Sequence, residues 1–336
     1  MAIKQVELGK GGPRVGVQGF GSMGISAAYG ETDEAAARDT LEAAVEAGVT
    51  LFDTADMYGK GANEEFLAPF VAEHRDRITL ATKFGFAWRD DDPDYRAIRN
   101  DPGYVRQSVE ASLRRLNVDV IDLYYMHRRL PEVPLAESVG TMAELVAEGK
   151  VRHLGLSEVT GSELREAHAI HPIAAVQSEW SVFSRDVERT VVPAAADLGV
   201  AFVPYSPLGR GFLTGVFADA DRDLSAADFR RLLPRYSGAN AAANASLVAT
   251  IRSVAEARGA TTAQIALAWV QQRAEVHGLS VVPIPGTRKR SRLLENVGAV
   301  DITLNEDELK ALEPLAHLVA GARYADMSLT SAGREE

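Results

Sequence analysis

The sequence contains no cysteine, and this absence removes several kinds of chemistry from consideration. A chain without cysteine has no disulfide framework, no thiolate nucleophile and no cysteine-based metal site. The seven histidines are scattered, without an HExxH motif or any other close spacing of metal ligands, so we expect no metal site. The lack of cysteine is compatible with a reducing compartment, and we expect a cytoplasmic protein.

Long apolar runs and an excess of basic residues are also missing. No run of about 18 or more apolar residues occurs, and the first residues, MAIKQVELGKGG, lack the apolar core of a signal peptide. The formal net charge of −11 argues against nucleic acid or an anionic membrane as a partner, because the summed field repels phosphates. A hydrophobic content of 46% is typical of a globular protein, and assembly into a homo-oligomer is compatible with it.

What the sequence does contain is an alternation of short apolar runs with amphipathic helical patterns. Between the runs, Ala37, Leu41 and Ala44 illustrate the helical spacing. Strands alternating with helices predict parallel strands joined by right-handed crossovers. With no break in composition, they favour a closed (β/α)8 barrel, or TIM barrel, as a single domain over residues 1–336. The predicted strands are Val15–Gly19, Thr50–Asp53, Ile78–Lys83, Val120–His127, Val151–Ser157, Ala174–Gln177, Ala201–Tyr205 and Ser280–Ile284.

Two further segments fall outside this alternation. The GKGG sequence at residues 9–12 predicts the turn of an N-terminal β-hairpin, which we expect to close the bottom of the barrel. A long irregular stretch, from Leu208 to Ala243, follows the seventh predicted strand. Loops of this length in compact domains are usually functional lids or disordered segments, and we favour a lid.

Polar side chains lie at the ends of three consecutive predicted strands. Asp53 ends the second strand and Tyr58 follows five residues later, while Lys83 ends the third strand and His127 ends the fourth. Each alone has a structural explanation, since an aspartate can cap a helix and a loop tyrosine can pack. Active sites of barrels lie at the C-terminal ends of the strands, so together these side chains predict one pocket.

These four side chains suit the protonation of a developing oxyanion. A tyrosine has an ordinary pKa near 10, which is too high for efficient proton donation at neutral pH. The Lys83 ammonium, held charged by Asp53, is expected to lower the pKa of Tyr58, and a neutral His127 could orient a carbonyl oxygen. This arrangement fits carbonyl reduction, in which the hydride must come from a cofactor.

The stretches FDTADMYG, TKFG and YYMHR resemble the tetrad motifs of the aldo-keto reductase superfamily in order and spacing. Similar pieces, among them GFGSMG, GLSEV, VQSEWS, YSPLGRGFLTG and PGTRKRSRLLEN, extend the resemblance over nearly the whole chain. It is closest to the NADPH-dependent branch of bacteria and plants, whose members carry a GxRY-like segment, here residues 321–324. The resemblance implies reduction of a small-molecule aldehyde or ketone, with hydride from nicotinamide C4 and a proton from Tyr58, helped by Asp53, Lys83 and His127.

The same resemblance implies a site for NADPH/NADP⁺. Ser157 and Gln177 would bind the nicotinamide carboxamide, and Trp180 would stack on its ring, with a plain core tryptophan as the alternative. GFGSMG matches the G-x-G-x-x-G fingerprint of dinucleotide-binding folds, but its glycines do not open a helix. We expect instead that Gly21 and Met23 line the floor of the active site.

The rest of the cofactor is expected to lie along two further segments. SPLGRG would present backbone N–H groups to the pyrophosphate, while guanidinium groups after PGT suit a 2′-phosphate. Gly286 stands where other branches place a phosphate-binding lysine, and the basic run has a solvated helix face as its alternative. The residues concerned are Ser206, Leu208, Gly211, Gly286, Thr287, Arg288, Arg292, Glu295 and Asn296.

Substrate specificity is expected to lie in the loops, with Tyr29, Phe84, Trp88 and Arg128 as candidate pocket residues. Aromatic residues there favour an apolar or aromatic aldehyde, with core packing as the alternative for each. Leu130 stands where many relatives have an aspartate, which removes an expected partner of Arg128.

Two other functions remain open at this point. The first is a Schiff-base aldolase that uses Lys83 as its nucleophile, which would require an uncharged lysine. The second is a non-catalytic, NADPH-binding regulatory subunit, which would bind the cofactor without turnover.

Overall fold

The computed structural model describes residues 3–26, 32–88, 91–92, 95–226 and 228–335. Its centre is a parallel sheet of seven strands. In their order across the sheet, these strands are β3 (Phe20–Gly21), β4 (Leu51–Asp53), β5 (Thr79–Phe84), β8 (Ile121–Met126), β9 (Val151–Ser157), β10 (Ile173–Glu179) and β11 (Ala201–Tyr205). Two antiparallel pairs complete the strands: β1 (Gln5–Glu7) with β2 (Arg14–Gly16), and β6 (Phe86–Ala87) with β7 (Ala97–Ile98).

The eighth position of the barrel is filled by the extended segment around residues 281–285. Val282 N donates to Phe202 O over 2.9 Å on one side, and Gly19 N donates to Pro283 O over 2.9 Å on the other. The segment therefore joins the last strand of the sheet to the first and closes the barrel. The predicted (β/α)8 fold is confirmed.

Helices follow the strands and pack around them. The helices of eight or more residues are α2 (Glu34–Glu46), α3 (Ala62–His74), α4 (Pro102–Leu116), α5 (Leu135–Ala147), α6 (Gly161–Ile170), α7 (Val191–Leu198), α9 (Gly238–Arg258), α10 (Thr262–His277) and α11 (Arg290–Val297). The shorter ones are α1 (Met23–Ser26), α8 (Ala220–Asp223), α12 (Glu306–Leu312), α13 (Leu315–Leu318) and α14 (Ser331–Arg334). No helix in the described part of the chain is long and apolar enough to cross a membrane.

Local sequence explains where the helices begin and which side they bury. The Asp33 side chain caps α2 by accepting a hydrogen bond from Ala36 N, which satisfies one of the unpaired N–H groups of the first turn. Leu41, on the apolar side of α2, is fully buried, and such burial contributes about 1.5–3 kcal/mol. Thr160 with Glu163 forms a reciprocal capping box at the start of α6.

The N-terminal hairpin lies where the sequence predicts it, but the first predicted barrel strand was placed wrongly. Val15 belongs to the hairpin, and the barrel begins at Phe20, so the apolar run covers two elements. Leu8 and Val15 are fully buried in the same cluster as Leu51 and Leu123, from the interior of the barrel. The hairpin therefore closes the bottom of the barrel.

The long segment after β11 is more ordered than predicted. It forms the 3₁₀ turns Gly209–Thr214, Phe229–Leu232 and Pro234–Tyr236 together with α8, and α9 already begins at Gly238. Phe212 anchors it, with its ring centroid 5.3 Å from that of Phe217 and 5.2 Å from that of Tyr236. Short turns leave no periodic pattern in a sequence, so the end of the irregular stretch was placed too late.

Candidate active site

The four predicted strand-end side chains meet at the C-terminal end of the barrel. Lys83 Nζ donates to an Asp53 carboxylate oxygen, to Thr54 O over 2.8 Å and to Tyr58 Oη over 3.3 Å. The His127 ring stands edge-on to the Tyr58 ring, with centroids 6.0 Å apart. The structure thus brings a phenol, an ammonium, a carboxylate and an imidazole into one group.

Adjacent parallel strands produce this convergence. Asp53 is in register with Ala81 of β5, and Lys83 is in register with Tyr125 of β8, so residues near the C-terminal ends of consecutive strands lie at one edge of the sheet. Gln177, near the end of β10, donates from Nε2 to the other oxygen of Asp53 over 2.8 Å. The carboxylate is therefore held from two sides.

A buried polar cluster holds the loop that carries Tyr58. Asn63 Oδ1 accepts hydrogen bonds from Ser22 Oγ over 2.5 Å and from Thr54 Oγ1 over 2.6 Å. Asn63 Nδ2 donates back to Ser22 O over 3.0 Å. These bonds tie the loop after β3 to the loop after β4, and sequence patterns gave no sign of this role for Asn63.

Burial controls the protonation states in this group. Burial disfavours the ammonium of Lys83, but Asp53 and Tyr58 outweigh that effect and raise the pKa of Lys83 above its ordinary value. Burial raises the pKa of Tyr58 above 10.0, and Lys83 opposes the rise without reversing it. The predicted net lowering is therefore wrong, since desolvation dominates, and the phenol is protonated at neutral pH.

His127 is neutral for a related reason. Burial, reinforced by the charges of Arg128 and Lys83, lowers the pKa of His127 well below 6.5. Its Nδ1 has no hydrogen-bond partner among the residues that the structure describes. The neutral imidazole agrees with the sequence prediction.

A cavity of about 930 Å³ lies above this group. Asp53, Tyr58, His127 and Arg128 contribute to its wall, whereas Lys83 is fully buried beneath. With one exception, every residue predicted to contact the cofactor lines the same cavity. These are Gly21, Met23, Ser157, Gln177, Ser206, Leu208, Gly211, Gly286, Thr287, Arg288, Arg292, Glu295 and Asn296.

One part of the cavity combines close backbone approach with positive charge. A Cβ atom added at Gly286 would lie 2.4 Å from Gly21 O, so neither segment could approach the other with a side chain there. Arg288 and Arg292 line the cavity beyond them, whereas Arg290 faces outward and forms ion pairs with Asp39 and Glu46. The basic run is therefore divided between the cavity and solvent.

Comparisons with known proteins agree with this geometry. The model of the aldo/keto reductase family matches residues 19–317. The chain belongs to the aldo/keto reductase family. A curated relative, probable aldo-keto reductase 1 of Glycine max, is 43% identical over 328 residues, covering 96% of this chain and 92% of the relative. The predicted membership of this superfamily is confirmed.

Solved structures of the same family share the barrel. A glycerol dehydrogenase from Gluconobacter oxydans has 26% identity and a TM-score of 0.80, covering 92% of this chain and 93% of its own. An aldo-keto reductase from Klebsiella pneumoniae, solved in complex with NADPH, has 27% identity and a TM-score of 0.72, with coverages of 94% and 96%. Aldo-keto reductases are oxidoreductases that act on carbonyl groups.

Two aromatic predictions for this aldo-keto reductase are wrong. Trp180 is fully buried outside the cavity, packs against Phe202 with centroids 4.8 Å apart, and donates from Nε1 to Glu188. Phe84 is also fully buried, stacked 5.1 Å from Tyr124. Phe84 points away from the barrel interior because successive side chains of a strand alternate between its two faces and its neighbour Lys83 points inward. Trp180 follows the end of β10 and packs towards His277 of α10.

Other residues take their places in the cavity wall. Besides Tyr58, the aromatic residues that line it are Phe86, Tyr205, Phe217, Phe229 and Tyr324. The Phe86 ring centroid lies 4.9 Å from that of His127. Trp88 is half-buried and is not part of the wall. Tyr29 lies outside the described residues.

A network of hydrogen bonds and ion pairs that the sequence did not predict borders the cavity. The fully buried Glu158 accepts hydrogen bonds from Arg323 over 2.9 Å and from Tyr205 Oη over 2.7 Å. Burial alone would raise the pKa of Glu158, but Arg323, together with Arg128 and Tyr205, outweighs it and brings the pKa to about 2. Tyr324, the next residue, lines the cavity and accepts from Arg210 over 2.7 Å. The GxRY-like segment thus forms part of the pocket.

The neutral His127 predicts a pH-dependent stability. Below about pH 6.5 the unfolded chain protonates this histidine while the folded chain does not, so stability falls as pH falls towards the folded pKa. The loss is at most about 1.4 kcal/mol per pH unit. Urea midpoints at about pH 7.5 and about pH 5.5 should therefore differ less in His127→Gln than in the wild type. Equal differences would contradict a buried neutral imidazole.

Proposed function

We propose that this chain reduces an aldehyde or ketone to the alcohol with NADPH, and that Tyr58 donates the proton. The observation that carries the proposal is the contact of Tyr58 with the buried Lys83–Asp53 pair at the wall of the cavity. Membership of the aldo/keto reductase family supports the reaction class. The substrate is accordingly a small-molecule carbonyl compound.

The residues around the cavity fit a nicotinamide dinucleotide phosphate. Ser157 and Gln177 offer hydrogen bonds to a carboxamide, and Gly21 and Gly286 contribute backbone without side chains to the cavity wall. Arg288 and Arg292 suit a phosphate, since guanidinium groups bind it bidentately. When bound, the cofactor supplies the hydride. The relative from Klebsiella pneumoniae, solved with NADPH, supports this choice.

Each member of the tetrad has a defined task in protonation. The carbonyl oxygen accepts a hydrogen bond from Tyr58 Oη and takes its proton as negative charge develops. Lys83 stabilises the resulting phenolate, and Asp53 keeps Lys83 charged. Neutral His127 orients the carbonyl oxygen. The alcohol leaves, and solvent returns a proton to Tyr58.

The two alternative functions are less well supported. A Schiff-base aldolase needs an uncharged lysine, whereas Lys83 donates to Asp53, Thr54 and Tyr58 and has a raised pKa. Its three ammonium hydrogens are thus used in hydrogen bonds. A regulatory subunit would not need an assembled proton-donating group, and that group is complete here.

Replacing Tyr58 tests the proton donor. With a panel of aldehydes and ketones, Tyr58→Phe should lower kcat for NADPH oxidation by about 10²–10⁴-fold, the usual contribution of a general acid. Binding of NADPH, followed by fluorescence, should be unchanged because the ring remains. Tyr124→Phe is the matched control, since that buried hydroxyl has no partner among the described residues.

Two results would contradict parts of this account. Undiminished turnover in Tyr58→Phe would refute the assignment of the proton donor. Tight NADPH binding without turnover by the wild type on any carbonyl compound would favour the regulatory function instead.

Replacing Arg288 tests the choice of NADPH over NADH. Arg288→Ala should raise KM for NADPH by about 10–100-fold, because a charge-assisted contact with the 2′-phosphate is lost, and should leave KM for NADH nearly unchanged. Arg290→Ala is the matched control, since Arg290 forms ion pairs with Asp39 and Glu46 on the outer face. An equal rise for both cofactors would show that Arg288 does not bind the 2′-phosphate.

A further inference from the structure

Arg128 places a buried positive charge in the cavity wall beside the tetrad. It follows His127 directly after β8, is 9% exposed, and lines the same cavity as Tyr58. Its Nη1 donates to His127 O over 2.7 Å and to Ser157 Oγ over 3.3 Å. These two bonds use both hydrogens of that nitrogen and fix the guanidinium plane.

The other edge of the Arg128 guanidinium carries hydrogen-bond donors. Nε and Nη2 carry three N–H hydrogens, and neither atom has a hydrogen-bond partner among residues 3–26, 32–88, 91–92, 95–226 and 228–335. Neither atom is fully enclosed, and Arg128 is one of the residues that line the cavity. This edge is the one that binds a carboxylate through two parallel hydrogen bonds.

No carboxylate of the described chain forms an ion pair with this charge. Glu158, whose field acts on Arg128, has its oxygens engaged by Arg323, Tyr205 and Ser331. Burial disfavours the charge on Arg128, but Tyr205 and Glu158 keep its pKa above the ordinary value. A buried cation without an ion-pair partner is costly, and an anionic ligand relieves that cost.

The position of the charge limits where such an anion would lie. Arg128 bonds to the backbone of His127, and its charge acts on both the His127 imidazole and the Tyr58 phenol. An anion bound there stands next to the reacting carbonyl. The Phe86 ring, with its centroid 5.9 Å from the guanidinium carbon, forms an apolar wall on the same side.

We propose that Arg128 is a substrate-binding residue that selects carbonyl compounds bearing a carboxylate close to the carbonyl carbon, an inference that rests on the reductase function proposed above. Oxo acids and carboxylated aldehydes are therefore the favoured substrate class, in place of the apolar or aromatic aldehydes that the sequence favours. Hydride and proton transfer to the carbonyl group are the same as proposed above. What is added is the binding of the substrate carboxylate by the Arg128 guanidinium.

The test compares matched pairs of substrates at constant ionic strength. The pairs are glyoxylate, 4-oxobutanoate and 4-carboxybenzaldehyde, each against its methyl ester, with NADPH oxidation as the measurement. In the wild type, at least one carboxylate should have kcat/KM about 10–100-fold above its ester, as expected for a charge-assisted bidentate contact. Arg128→Gln should abolish that ratio through KM while retaining turnover of the ester, and Arg128→Lys should keep part of it.

Three results would overturn the proposal. The wild type could show no preference for any carboxylate, in which case turnover of the esters would still support the reductase function. Arg128→Gln could lower kcat/KM equally for both members of a pair, which would make Arg128 a positioning residue for His127 and Ser157. The ratio of kcat/KM between a carboxylate and its ester could instead be lost in Arg210→Gln, which would show that Arg210, and not Arg128, binds the carboxylate. Absence of turnover on every compound would refute the reductase function and this inference with it.

Discussion

The structure depends on one buried ion pair, Lys83 with Asp53. Two charges removed from water are tolerated only when hydrogen bonds satisfy them, and removal of one leaves the other uncompensated. Here Thr54 O and Tyr58 Oη accept the remaining hydrogen bonds of the Lys83 ammonium, and Gln177 donates a hydrogen bond to the second oxygen of the Asp53 carboxylate. The pair therefore links β4, β5 and β10 through the barrel interior, and Tyr58 derives its chemistry from contact with it.

Although the protein is acidic overall, several positively charged residues line its cavity. The net charge is −11, yet Arg128, Arg210, Arg230, Arg288, Lys289 and Arg292 all border one cavity. Two carboxylates in this region are engaged by cations, Glu158 by Arg323 and Asp228 by Arg230. Of these cations Arg128 is buried, whereas Lys289 and Arg292 are exposed, so positive charge extends from the tetrad to the solvent-exposed part of the lining.

Much of the fold and the tetrad could be predicted because both follow from local patterns. Strand ends that are consecutive in the chain are neighbours in a parallel barrel, so Asp53, Lys83 and His127 had to converge. Phe84 was expected in a loop, but it is the last residue of β5, where its side chain points away from that of its neighbour Lys83. Trp180 was assigned from the family resemblance alone, and no local pattern showed that it packs against Phe202. The Glu158–Arg323 pair joins residues 165 positions apart and left no local signal.

The central claim is that the buried pair makes Tyr58 a working acid, and the most direct measurement is the pH profile of turnover in both directions for Lys83→Met. Without the ammonium, burial and the charge of Asp53 both raise the pKa of Tyr58, and the opposing effect of Lys83 is lost. Carbonyl reduction should therefore fall by about 10²–10⁴-fold, and alcohol oxidation, which needs the phenolate, should shift to higher pH. Wild-type rates with an unchanged profile in a folded, NADPH-binding Lys83→Met would contradict the central claim.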